Sequence, residues 1–338
     1  MCAPSHQLTK ISIKGYKSIK ECDISLNSIN VLIGSNGAGK SNFLSVFTLL
    51  HHILKNEMQS YTAKKVCRTF FYEGVKTTPY FGINFYFGDL SFTFELEMNE
   101  YEEMRFREGS RFSAQPLECI KANPIRVYHF QNTSPTAEVK SSHSIHNNEV
   151  LFDDARNLAA FLYHLRNNYF TEYNNIVQTI RLVAPYFSDF VLTPNGEHGD
   201  NIFLKWKQKR CEDIFGVSQF SDGTLRFICL VTLLLQPAAL QPSTIVIDEP
   251  EIGLHPYAIT IFSEMVKKAA VEKQVVISTQ SVELLNHFNA EDVIVVDRGD
   301  EGSTFTRLHY AQLAEWLEDD YTLGDLWNKN ILGGRYAQ

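Results

Sequence analysis

The residues from Ile33 to Asn42 read I-G-S-N-G-A-G-K-S-N, and their types and spacing suit phosphate chemistry. Gly34 to Ser41 satisfies G-x-x-x-x-G-K-[ST], in which glycines let the backbone curl until successive N–H groups point inward at a phosphate. Asn36, Gly37, Ala38, Gly39 and Asn42 belong to the expected cradle. Lys40 can reach the terminal phosphates of a nucleotide, and the Ser41 hydroxyl can hold Mg²⁺. The flanks agree with this reading. Asn30 to Ile33 is short and mostly apolar, as a buried strand is, and Asn42 to Leu50 repeats apolar residues like a buried helix. A loop between a strand and a helix N-terminus is where the helix dipole favours an anion. A chance glycine turn would not bring strand, lysine, hydroxyl and helix together.

A second chemical stretch is Ser243 to Glu251, S-T-I-V-I-D-E-P-E, an apolar strand ending in paired acids. Consecutive side chains near a strand end point in different directions. Asp248 can therefore address Mg²⁺ while Glu249 addresses a water beyond the γ-phosphate, dividing metal holding from water activation. Phe220 to Arg226 (F-S-D-G-T-L-R) precedes a long apolar helix. Ser221 suits an N-cap and Gly223 lets a phosphate approach the backbone, so this is either a second anion site or an ordinary capped helix. Gln274 to Ser278 reads as another buried strand. Thr279-Gln280-Ser281 at its end fits a γ-phosphate sensor or a polar turn equally well.

These stretches sit in an ordinary globular composition: 338 residues, 44% hydrophobic and 21% charged, enough for one large domain or two small ones. A formal charge of -8 argues against a uniformly basic nucleic-acid binder, though not against a local basic patch. The six cysteines, Cys2, Cys22, Cys67, Cys119, Cys211 and Cys229, form no C-x-x-C pair, which points to a reducing, cytoplasmic setting. No charged-then-apolar leader opens the chain. The longest apolar stretch, Phe227 to Leu240, contains Thr232, Gln236 and Pro237 and is too short to span a bilayer, so no membrane is expected. No repeat or heptad array is present.

Other elements must position the two chemical stretches. Leu8 to Ile13 and Ile19 to Leu26 read as strands joined by a turn at Gly15 to Ser18, whose Tyr16 and Lys17 suit either a base-and-phosphate contact or solvent. Glu57 to Val75 reads as irregular. Ile83, Phe85 and Phe87, a Gly88-Asp89 turn, then Phe92, Phe94, Leu96 and Met98 form a hairpin whose aromatic stripe is core. Pro124 to Phe130 is a strand, and Ser141 to Asn148 a loop whose His143 and His146 lack the company a metal needs. Helices are expected over Asn157–Arg166 and Glu172–Ala184, and strands over Phe190–Leu192, Asn201–Lys209 and Val293–Val296. Lys205, Lys207 and Lys209 would then share one strand face, either solvated or on a DNA backbone.

With these pieces in order, I-N-V-L-I-G-S-N-G-A-G-K-S-N, F-S-D-G-T-L-R, I-V-I-D-E-P-E-I-G-L-H-P and I-S-T-Q-S-V-E-L-L, spread from Ile29 to Leu285, resemble the ABC-type ATPases of the SMC/RecF/OLD-like branch. The chain is most similar to short bacterial OLD-like ATPases of AAA type. V-Y-H-F-Q-N-T-S-P and the tail Y-T-L-G-D-L-W-N-K-N-I-L-G-G-R resemble that group too. The resemblance implies an α/β P-loop ATPase head over residues 1–338. Its parts would be an antiparallel β-subdomain with the Walker A lobe over 1–135 and a helical signature lobe over 150–240. Walker B and switch strands would occupy 241–310, and a tail 311–338. It assigns Lys40 and Ser41 to Walker A, Asp248 and Glu249 to Walker B, Gln131 to the Q-loop and Gln280 to the switch. Ser221 and Gly223 would be the signature, meeting ATP bound by a second subunit, so that two ATP with Mg²⁺ are sandwiched in a head-to-tail homodimer or a higher homo-oligomer.

Several positions depart from the wider pattern. Gln280 stands where many ABC relatives carry histidine, and glutamine cannot become cationic. The signature reads S-D-G-T rather than S-G-G-Q, and His255 lies where transporter-type relatives carry an acid. No stretch has the length of an SMC coiled coil. Too few residues follow Asp297 for the Toprim nuclease that OLD-like proteins often carry, and Asp319-Asp320 suits an acidic turn. The resemblance therefore implies a separate nuclease or toxin subunit, as in bacterial anti-phage or toxin-like systems. Two functions follow as expectations: an ATP-hydrolysing switch controlling a partner effector, or a nucleotide-gated scaffold with little turnover.

Overall fold

The structure is a computed structural model that describes residues 7–108, 110, 121, 124–195 and 199–334. The chain opens with β1 (Lys10–Tyr16), β2 (Ile19–Ser25), β3 (Ile29–Ile33), α1 (Lys40–Leu54) and α2 (Met58–Ala63). Next come β4 (Tyr80–Phe87), β5 (Leu90–Met98), β6 (Met104–Phe106) and β7 (Ile125–Tyr128). The middle carries β8 (His143–Ser144), α3 (Leu158–Asn168), α4 (Phe170–Val183), β9 (Phe187–Val191), β10 (Asn201–Ile202), β11 (Lys205–Gln208), β12 (Ile214–Gly216) and α5 (Asp222–Leu235). Then follow β13 (Thr244–Asp248), α6 (Pro256–Ala269), β14 (Gln274–Thr279), α7 (Val282–Leu285), β15 (Val293–Gly299), β16 (Gly302–Arg307), α8 (Tyr310–Glu318) and α9 (Leu323–Asn328). The chain divides into two compact units, one of residues 1–127, 242–246 and 273–338, the other of 128–241 and 247–272.

The first unit is built on two sheets. Its mixed sheet has the order β16-β15-β3-β14-β13-β7. Both β14 and β15 run parallel to β3, with Val31 opposite Ile277 on one side and Val293 on the other, while β16 is antiparallel to β15. Buried residues run unbroken through Asn30–Ile33, through all of β14 and through Val293–Val296, as in parallel strands covered on both faces. The loop after β3 therefore leaves a carboxyl strand end, where open α/β sheets take ligands.

The second sheet of this unit is antiparallel, β2-β1-β4-β5-β6. Ile83 faces Phe94 and Phe85 faces Phe92 across the expected hairpin, and all four are buried with Phe43 and Phe47 of α1. Tyr16 belongs to this core as well. It is fully buried with its hydroxyl 2.9 Å from Ser45 Oγ, so it is not open to a base. The stretch read as irregular contains α2, which buries Met58, Tyr61 and Thr62. Six residues are too few for an apolar period to show.

The second unit is mainly helical. Leu158, Phe161, Leu162 and Leu165 of α3 and Ile176, Val177 and Ile180 of α4 are buried as their spacing predicts. Helix α5 is buried from Phe227 to Leu234 and stops before Gln236-Pro237, where proline disfavours a further helical turn. The expected strand over Asn201–Lys209 is two strands. β10 pairs with β8, while β11 joins the sheet β12-β11-β9. A register shift between Lys207 and Gln208 ends the alternation, so Lys205 and Lys207 lie on β11 but Lys209 lies beyond it. Among the described residues no helix is long and apolar enough to cross a membrane. Cys22, Cys67, Cys211 and Cys229 are free thiols, whereas Cys2, Cys119 and Arg335 lie outside the described residues.

Candidate functional site

In the first unit, the loop from Gly34 to Gly39 joins β3 to α1, which begins at Lys40. Gly39 needs to be glycine twice over. Its φ is +120°, and a Cβ there would come within 2.2 Å of Ser303 Oγ. Ser303, on β16, donates to the Ala38 carbonyl (2.6 Å) and lies 2.8 Å from Ser18 Oγ. Asn42 donates through Nδ2 to the same Ser18 oxygen (2.8 Å). Arg298 Nη1 donates to the Gly37 carbonyl (3.2 Å), and Ser35 N–H donates to the Gly334 carbonyl (2.9 Å). The loop is thus held from its outer side, while Asn36, Gly37 and Ser41 are exposed. Lys40 is buried, and its ammonium donates to the carbonyls of Gly34 (2.6 Å) and Ser35 (3.1 Å), which compensates the buried charge with fixed dipoles.

Lys17 approaches the same helix. Its Nζ donates to Ser45 Oγ on α1 (2.7 Å) and lies 5.4 Å from the centre of the Phe70 ring. Burial, with Lys65 nearby, lowers its pKa from the usual 10.5 to about 8. Between those two values the unfolded chain holds a proton that the folded chain has released. Stability therefore rises with pH across that window, and the full penalty is present below it. Lys17→Met should flatten the dependence of melting temperature on pH between 8 and 10, as parallel thermal melts of the two proteins would show.

In the second unit, β13 ends at Asp248, and Glu249 follows with φ +45°. A non-glycine residue in that region stores about 1 kcal/mol or more of backbone strain, which persists where the surroundings over-determine it. Gln131 Nε2 donates to the Asp248 carbonyl (3.2 Å), and His129 Nδ1 lies 3.8 Å from Asp248 Oδ2. Ser221 caps α5 by accepting from Thr224 N–H (3.1 Å) and is exposed. A Cβ on Gly223 would come within 2.1 Å of the Gly253 carbonyl, so the start of α5 lies hard against the turn after Glu249. Arg226 completes the joint. Nη1 donates to the Ile252 carbonyl (2.9 Å), and Nη2 to the Gln131 carbonyl (2.8 Å) and Thr133 Oγ1 (3.2 Å).

Within the first unit, β3 and β14 are parallel neighbours, with Gly34 and Gln280 just past their ends. Gln280 is half-buried, between the Thr279 hydroxyl, which accepts from Ser281 N–H (2.9 Å), and Ser281, which caps α7.

A family model described as "AAA domain, putative AbiEii toxin, Type IV TA system" matches residues 29–286. The chain belongs to this AAA-domain family. Solved SMC heads share the fold of this AAA domain. An SMC head bound to the C-winged helix domain of ScpA superposes with a TM-score of 0.64 at 16% identity, over 91% of this chain and 99% of that one. The head from Pyrococcus furiosus with an extended coiled coil, bound to the C-terminal domain of ScpA, gives 0.62 at 14%, over 93% and 99%. A Pyrococcus yayanosii head with a coiled coil and joint gives 0.62 at 10%, over the same shares. Among curated proteins none matches the sequence. The fold is therefore the ABC-type ATPase head that the sequence motifs resemble.

Within the AAA domain, Asn36 to Gly39 lie in one loop and Lys40 and Ser41 open α1, while the Asn42 side chain turns back to Ser18. Gln131 lies three residues past the end of β7 and reaches the backbone of Asp248. Ser18, Ser303 and Arg298 carry no motif and reach the loop through the pairing of the strands beside it, whereas Gly334 reaches it through the tail. Arg226 and His129 lie inside stretches that resemble the family, but neither spacing nor residue type signals their roles. His255 caps α6, with its Nδ1 accepting from Tyr257 N–H (3.2 Å). His143 Nε2 donates to the Glu138 carbonyl (2.8 Å). Asp189, which accepts from the Tyr173 hydroxyl (2.7 Å), pairs opposite Lys207, so an acid interrupts the basic strand face.

Proposed function

We propose that this AAA domain is an ATP-binding and ATP-hydrolysing switch of the OLD-like kind. It pairs head-to-tail around two ATP and controls a separate effector, a nuclease or toxin, in bacterial anti-phage defence or DNA maintenance. The observation that carries this reading is the phosphate loop, curled through Gly39 and held from outside, which delivers Lys40 and Ser41 at the start of a long helix. Backbone N–H groups of residues 36–41 bind the phosphates, and Lys40 neutralises them. Ser41 and Asp248, a hydroxyl and a carboxylate, are the hard oxygen donors that suit Mg²⁺, which when bound neutralises charge on the phosphate oxygens. Glu249 takes a proton from the attacking water, Gln280 and Gln131 orient that water, and Ser221 and Gly223 of a second copy close over the nucleotide. The whole cycle takes place in the cytoplasm.

The family description, with its reference to a toxin–antitoxin system, supports an effector link. SMC heads that bind ScpA domains supply a precedent for a partner-binding head. DNA is a further partner in this reading, through Lys205 and Lys207. The neutral Gln280 favours a second reading, a nucleotide-gated sensor that hydrolyses ATP only when its trigger arrives. Single-turnover hydrolysis by the purified protein separates the two.

Sedimentation with and without ATP tests the pairing. The parent should shift from monomer to dimer with ATP, and Ser221→Arg should bind ATP yet stay monomeric. A parent that remains monomeric at saturating ATP overturns the head-to-tail pairing.

A further inference from the structure

The chain past Glu318 takes no part in the chemistry above, yet it is built into the first unit at two points. After a turn at Asp320, Thr322 and Asp325 cap α9 reciprocally: Asp325 N–H donates to Thr322 Oγ1 (3.1 Å) and Thr322 N–H to Asp325 Oδ2 (3.0 Å). Gly324 N–H donates to Asn286 Oδ1 (2.7 Å), and a Cβ on Gly324 would lie 2.5 Å from Val282 Cγ1. The start of α9 is thereby pinned to α7, the helix just after Gln280.

The second point is the phosphate loop. Gly334 accepts from Ser35 N–H (2.9 Å). Its φ is +78°, and a Cβ there would lie 2.8 Å from both Trp327 Cζ3 and Val295 Cγ1. Trp327 is itself buried. An unattached tail would tolerate any residue at 324 and 334. Here both positions lack room for a side chain, and between them the segment joins the loop to the switch end of β14.

We propose that Trp327 and Gly334 are positioning residues of the nucleotide site. They fix the Ser35 end of the phosphate loop in the conformation that receives a triphosphate, and they tie it to the helix that follows Gln280. This rests on reading the loop as an ATP site. The physical ground is preorganisation. A loop whose first peptide is already hydrogen-bonded to a residue that a buried indole backs loses less freedom when phosphate binds.

The test uses the full chain with Gly334→Ala, Trp327→Ala and Trp327→Phe, fluorescent mant-ATP as the probe, and amide hydrogen exchange across residues 34–39. Gly334→Ala and Trp327→Ala should bind mant-ATP about tenfold more weakly, the effect of losing roughly one hydrogen bond's worth of preorganisation. Their Ser35 amide should exchange at least about tenfold faster without nucleotide, and kcat at saturating ATP should stay within about twofold of the parent. Trp327→Phe, which keeps a packed ring, should behave as the parent does. Parent-like mant-ATP affinity in both Gly334→Ala and Trp327→Ala overturns the proposal. So does fast Ser35 exchange in the parent itself, a reading that needs no variant to fold. If the parent and Lys40→Ala both fail to bind mant-ATP, the ATP reading fails and the nucleotide part of this proposal falls with it. Ser35 exchange then decides separately whether the tail holds the loop.

Discussion

Glu249→Gln should lower ATP hydrolysis by at least about a hundredfold while leaving ATP affinity within about threefold of the parent, the loss typical of removing a general base. Glutamine keeps the size of the side chain and its hydrogen-bonding reach but cannot accept a proton at neutral pH. The backbone at this position has φ +45° directly after β13, and glutamine fills the same space there as glutamate. Stability should therefore be unchanged, which separates a chemical effect from a folding one. Single-turnover hydrolysis alongside equilibrium ATP binding checks both halves. A variant as fast as the parent would place the base elsewhere. A variant that no longer binds ATP would give Glu249 a binding role.

Arg226→Ala should destabilise the protein by about 2 kcal/mol and reduce hydrolysis with it, since bonds from a charged donor are the stronger kind and their loss leaves acceptors unmet. The guanidinium connects α5 to the carbonyls of Ile252 and Gln131, on the two segments that flank Asp248 and Glu249. Without it, the start of α5, the segment at Gln131 and the turn after the acids lose their common tie. Arg226→Lys should recover only part of the loss, because a single ammonium cannot span two carbonyls as a planar fork does. Urea midpoints and steady-state rates on the three proteins measure the effect. An alanine variant with parent stability and rate would mean that Gly223 against Gly253 holds the joint alone.

The parts of the site that could be read from sequence are those whose chemistry is local. The phosphate loop, the acids at the end of β13 and the capped start of α5 each declare themselves within ten residues. The aromatic hairpin does so because its alternation matches the period of a strand buried on one face. The groups that hold the loop from outside could not be read in this way. Ser18, Arg298, Ser303 and Gly334 reach it only because β15 pairs with β3, β16 with β15, and the tail returns across Val295. No residue near Gly39 announces that Ser303 fills the space a Cβ would need. The basic strand was misjudged for a different reason. Alternation extrapolates only as far as the register holds, and the shift after Lys207 removes Lys209 from the face.

The indole of Trp206 lies nearly parallel to the Phe220 ring, 4.5 Å away with planes 15° apart, and donates through Nε1 to the Gly216 carbonyl (3.1 Å). Phe220 immediately precedes Ser221. The protein thus carries its own optical reporter beside the helix tip through which two copies would clasp. With Trp316 and Trp327 exchanged for phenylalanine, Trp206 is the only tryptophan left of the three. If two copies pair as proposed, its emission should change when ATP is added, with no attached dye.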